Sequence, residues 1–125
     1  MPMPIKNISK HKYTFIAVAY TLWLSIVSLT PLQGIQLPSF ANADKIVHFF
    51  LYFFLVIVWL KAYPPFYNHK FWFLSGVIVW GIIIEFLQET LVPGRSGDFF
   101  DALANSLGAV TGLLIFMRIK LKTVF

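Results

Sequence analysis

Five carboxylates occur in this 125-residue chain, at Asp44, Glu85, Glu89, Asp98 and Asp101. Glu85 is the sharpest case, since Trp80 to Ile84 precede it and Phe86-Leu87 follow. A charge at mid-helix in lipid costs roughly 2.5–3.5 kcal/mol on insertion scales, so such a group turns inward and finds a partner. Candidate partners recur at helical spacing. Asp44, His48 and Tyr52 fall at i, i+4 and i+8, which stacks them on one stripe of a helix. Glu85, Gln88 and Glu89 share a second stripe, and Asp101, Asn105, Gly108 and Gly112 a third. Imidazole titrates near neutrality and a carboxylate fixes its tautomer, so His48 with Glu85 or Asp44 could serve as a general acid or base. His48, Glu85 and Asp101 are the candidate catalytic residues.

Each of these residues also has a plainer use. Asp44 complements a helix N-terminus, His48 forms an interior hydrogen bond, and Tyr52 sits at an interface. Asp101 and Asn105 cap and join a helix, while Gly108 and Gly112 allow close helix packing. No nucleophile is marked: Ser96 and Ser106 carry no sign of activation. His48, Glu85 and Asp101 make a metal site conceivable, but their spacing fits no strong ligand motif. We therefore expect neither a metal nor another cofactor.

The elements that must position these groups are transmembrane helices. Hydrophobic residues make up 58% of the chain and charged residues 12%, too little polar material to coat a soluble globule. About 20 apolar residues cross the hydrocarbon layer, and four segments qualify, at about 13–32, 45–63, 71–89 and 99–117. Pro31, Gly34 and Pro38, then Pro64-Pro65, then Pro93-Gly94 mark the breaks between them. We expect an all-α integral membrane bundle of four helices, forming one domain over 1–125. Lys6, Lys10 and Lys12 followed by an apolar run and Ala41-Asn42-Ala43 imitate a secretory signal. The run is long enough to span, however, and the cleavage-like triplet lies well beyond it, so we read this segment as the first span.

Lys6, Lys10, Lys12, Lys61, Lys70, Arg118, Lys120 and Lys122 fall on one side of that topology, against Lys45 and Arg95 on the other. The positive-inside rule places both termini in the cytoplasm, with all five carboxylates towards the outer face. The net charge of +5 is thus topological. The basic residues form no patch with interleaved aromatics, and no nucleic-acid partner is expected. With no cysteine, disulfides and thiolate chemistry are excluded.

Three runs together are similar to the VanZ-like family. They are D-K-I-V-H-F-F-L-Y from Asp44 to Tyr52, E-F-L-Q-E from Glu85 to Glu89, and P-G-R-S-G-D-F-F-D-A-L-A-N-S-L-G from Pro93 to Gly108. They cover most of the chain from Asp44 onward, and nothing in the first span adds to the resemblance beyond hydrophobicity. The resemblance implies a multi-pass protein of the bacterial inner or plasma membrane. Through the family's named member it also implies a contribution to low-level resistance to the glycopeptide teicoplanin. An extracytoplasmic polar site would then bind a lipid-linked envelope precursor or a lipoglycopeptide. Lys45 and Arg95 would hold anionic groups, Tyr52, Gln88 and Asn105 would give neutral hydrogen bonds, and Asp44 and Asp98 complete the ligand-binding set. Three alternatives stand beside this reading. One is a membrane-embedded enzyme of envelope lipid or glycan metabolism. Another is a small dimeric transporter, although Glu85 lies near the outer end of the third span and not deep in the first. The last is a polar network that only holds the bundle together. Oligomeric state is open.

Overall fold

A computed structural model describes residues 5–30, 43–93 and 99–124, with side chains described over 11–30, 44–93 and 99–121. Four long helices carry the architecture: α1 (Ile5–Ser28), α2 (Ala43–Ala62), α4 (Lys70–Leu91) and α5 (Phe99–Val124). A single turn, α3 (Pro65–Asn68), fills the connection between α2 and α4, where the sequence suggested only a break. Its Pro at the first turn costs nothing, because that N–H has no helical partner in any case. At the other end of α4, Val92 is extended, the conformation forced on a residue that precedes a proline, here Pro93.

Three of the described helices are long and apolar enough to cross a membrane: Asp44–Ala62, Lys70–Leu91 and Phe99–Leu121. The first helix is not among them. Its 24 residues suffice in length, but Lys6, Lys10, His11 and Lys12 and several hydroxyl side chains make it more polar than the others. It also starts and stops earlier than the expected 13–32. The last helix runs past its expected end at 117 into the basic tail.

Successive long helices run up and down, so α2 and α5 point the same way, with α1 and α4 opposed to them. α2 and α5 share the most extensive contact in the molecule. A Cβ on Gly108 would overlap the Phe49 carbonyl oxygen, and one on Gly112 would stand 2.7 Å from the Phe53 carbonyl oxygen. Lipid tails are as apolar as Leu, so helices in a bilayer associate through close packing and polar bonds instead of hydrophobic exclusion. Glycine at these two positions lets the backbones touch.

The core beneath contains Leu24, Tyr52, Leu55, Val56, Leu60, Val77, Ala109 and Leu113. Side-chain bonds tie α1 to it. The Tyr20 hydroxyl donates to the Leu51 carbonyl (2.5 Å), and the Trp59 indole N–H donates to Thr21 Oγ1 (2.8 Å). The exterior is apolar, with Phe15, Leu22, Ile26, Phe50, Phe54, Ile82, Phe86, Leu107 and Leu114 exposed, while Glu85, Gln88, Asp101 and Asn105 are buried. Apolar outside and polar inside is the arrangement that lipid requires.

Candidate functional site

The polar residues collect where α2 and α5 begin and α4 ends. Lys45 Nζ donates to Asp44 Oδ2 on its own helix (2.8 Å) and lies 3.2 Å from Asp101 Oδ1 on α5. One turn along α2, His48 Nδ1 stands 3.1 Å from Asn105 Oδ1. The opposite ring nitrogen, Nε2, is 3.7 Å from Asp101 Oδ2, and Nδ1 is 4.0 Å from Glu85 Oε1 on α4. Three helices therefore converge on one imidazole.

Local sequence explains each placement. Asp44 and Asp101 stand in the first turns of α2 and α5, where the exposed N–H ends of the helix favour negative charge. Asp101 and Asn105 are four residues apart on α5 and both face α2, because Gly108 holds that face against it. Tyr52 is almost fully buried one turn below His48. Its ring edge fits against Gly81, where a Cβ would come within 3.2 Å of Cε2. Gly81 is one turn from Glu85, and the sequence reading passed over it. Its only signal was a glycine four residues from an intramembrane acid.

Exposure is graded across the site. The side chain of Asp44 is 43% exposed and that of Lys45 26%, while His48, Asp101 and Glu85 fall to 14%, 12% and 8%. The site has a wet mouth and a dry floor. Charges at the floor interact more strongly than those at the mouth because less water screens them.

Gln88 faces elsewhere. Its Nε2 donates to the Ser28 carbonyl at the end of α1 (2.6 Å), so it joins α4 to α1. Glu89 is exposed, one turn beyond Glu85. Arg95 and Asp98, assigned to ligand binding from the sequence, lie outside the described residues, as does Ser96. Among the described residues, Lys45 is the cation that meets the Asp101 carboxylate. Ser106 is committed to its own helix, donating to the Ala102 carbonyl (2.9 Å). His48, Glu85 and Asp101 can each supply one ligand atom such that all three lie within 4.8 Å of one another. Helix convergence makes this cluster, and linear spacing does not display it.

A family model described as VanZ/LLP1 matches residues 3–121. The chain belongs to the VanZ/LLP1 family. No curated protein and no solved structure matches the chain. The VanZ/LLP1 match takes in α1 as well as α2 to α5, although the motifs that carried the sequence resemblance begin only at Asp44. In this VanZ/LLP1 member, the first two motif runs and the described part of the third meet at His48. Family membership and the three apolar helices together make this a VanZ-type membrane protein.

Proposed function

We propose that the chain is a four-span protein of the bacterial plasma membrane whose polar site binds the head of a lipid-linked envelope precursor or a lipoglycopeptide. The graded exposure from Asp44 and Lys45 down to Glu85 supports this reading most directly. A polar head entering at the mouth meets Lys45 first, and Asp101 and Asn105 beneath it. In this reading α1 is the fourth span, and both termini are cytoplasmic. The basic end of the bundle supports that orientation: Lys61 lies over the Tyr13 ring, and Lys70 and Lys120 lie over Tyr67. Cationic side chains gathered on aromatic rings suit a cytoplasmic interface. The site then faces the extracytoplasmic side, where teicoplanin acts, and the protein contributes to glycopeptide resistance.

Binding to the protein in lipid nanodiscs tests this, with teicoplanin and a polyprenyl-diphosphate saccharide as the two probes. At least one probe should bind the wild type and lose tenfold or more in affinity with Lys45→Gln or Arg95→Ala, both variants remaining helical. Undiminished binding by both variants, or no binding of either probe to the wild type, overturns the reading.

The position of His48 favours a second reading, an enzyme of envelope lipid or glycan metabolism. Two buried carboxylates and an amide surround one imidazole, an arrangement that can fix the ring for proton transfer. Glu85 or Asp101 would orient it, since these are the carboxylates within 4.0 Å of its ring. Turnover of a lipid-linked substrate that disappears in His48→Ala would carry this reading, and full biological activity of that variant would end it.

A further inference from the structure

We infer that His48, Glu85 and Asp101 form a binding site for a transition-metal dication, of which Zn2+ and Mn2+ fit the ligand set. The Asn105 amide oxygen lies 3.1 Å from His48 Nδ1, the geometry in which Nδ1 donates and Nε2 is left for a ligand bond. Nε2 faces Asp101 Oδ2 at 3.7 Å, too long for a hydrogen bond. A metal cation between the two atoms would bridge them. Two ligands about 2.0–2.1 Å from a metal stand about 3.3 Å apart in a tetrahedral shell, so this pair needs to close by only a few tenths of an ångström. Glu85 Oε1 approaches the ring from the Nδ1 side at 4.0 Å, and one ligand atom from each of the three residues lies within 4.8 Å of the others.

The amide behind the ring is the outer-shell partner that metal-bound histidines use to fix their tautomer. Charge points the same way. Among the described residues three carboxylates, Asp44, Glu85 and Asp101, meet one lysine, Lys45, at a place where acidic groups in lipid are costly, and a dication would offset that excess. A separate observation comes from Tyr52, 1% exposed, whose hydroxyl has no hydrogen-bond partner among the described residues. Its ring packs one turn below His48 and beside Gly81, itself one turn from Glu85 on α4. A buried phenol one turn from His48 would supply a hydrogen-bonding partner for a water on the ion, because three protein ligands leave a coordination position open. One imidazole and two carboxylates suit borderline and hard transition dications, while Mg2+ prefers oxygen ligands and keeps its waters. The inference goes beyond the ligand reading above, and neither depends on the other.

The test uses the full chain without a polyhistidine tag and with His11 and His69, both exposed, changed to alanine. His48 is then the only imidazole. Calorimetric titration in nanodiscs should give about one equivalent of Zn2+ or Mn2+, with Mg2+ at least tenfold weaker. His48→Ala, Glu85→Gln and Asp101→Asn should each weaken binding tenfold or more. Pulsed electron resonance of bound Mn2+ or Cu2+ should show coupling to one imidazole nitrogen. This measurement needs no site variant, so it decides the matter even where a carboxylate variant fails to fold. Failure of the His11→Ala/His69→Ala protein to bind any of these ions, no imidazole coupling, or equal affinity in all three site variants would overturn the inference. Loss of teicoplanin or polyprenyl-diphosphate binding with metal binding intact bears only on the ligand reading.

Discussion

Lys45 on α2 and Asp101 on α5 form the ion pair that closes the polar site, Nζ to Oδ1 at 3.2 Å, while the same ammonium holds Asp44 at 2.8 Å. The two carboxylates differ in environment: Asp44 is largely open to water and Asp101 is buried. Removing the shared cation therefore hurts one partner far more than the other. Lys45→Gln should destabilise the bundle by roughly 2–4 kcal/mol, because it strands a buried carboxylate. Asp44→Asn should cost less than about 1 kcal/mol, as exposed pairs do. Thermal unfolding in detergent, followed by circular dichroism, checks the ordering.

Glycine packing gives a sharper contrast within one residue type. Gly108→Ala drives a methyl into the Phe49 carbonyl, and backbone cannot yield as a side chain does. A loss of about 1–3 kcal/mol follows from overpacking. A Cβ at Gly76 meets nothing within 4 Å, so Gly76→Ala should be neutral or stabilising by up to about 1 kcal/mol through helix propensity. Equal effects in chemical denaturation would contradict the close α2–α5 contact.

Gln88 and Tyr20 predict how α1 is held. Gln88→Leu removes the bond to the Ser28 carbonyl, and Tyr20→Phe removes the one to Leu51. Each should cost about 0.5–1.5 kcal/mol. Both should raise hydrogen exchange in α1 more than in α5, which mass spectrometry of the protein in nanodiscs reads directly.

Stability and function should separate at His48. His48→Ala removes the imidazole but leaves the Lys45–Asp101 pair and the glycine contact in place. We expect teicoplanin tolerance conferred by overexpression to fall to the empty-vector level, with the melting temperature within a few degrees of wild type. A network that only holds the bundle together predicts the opposite, tolerance and melting temperature declining in step.

The helical spacing of Asp44, His48 and Tyr52, and of Asp101 and Asn105, made the two site faces legible in sequence, as did the lone Glu85 in an apolar run. Helical period alone fixes which residues share a face, and the cost of charge in lipid says those faces turn inward. What sequence could not supply was the axial offset between helices, which decides whether Asp101 meets Lys45 or His48 or, as here, both. That offset depends on a backbone contact at Gly108, and a glycine does not announce which carbonyl it will touch. Gln88 shows the same limit. Its place on the Glu85 stripe suggested the site, yet an amide has enough reach to turn aside to α1. The polar character of the first helix was legible too, although hydrophobic run length alone had made it a span equal to the others.

The touching backbones of α2 and α5 divide the site unequally. Asp44, Lys45, His48, Asp101 and Asn105 ride on a pair of helices that cannot slide without driving carbonyl oxygens into glycine. Glu85 alone arrives on α4, which packs against the pair without such a lock, and its 4.0 Å approach to His48 is the longest in the cluster. A tilt or shift of α4 therefore moves one member of the cluster and leaves the remaining five in register. The site is built on one locked helix pair, and Glu85 is the member whose place depends on how α4 seats against it.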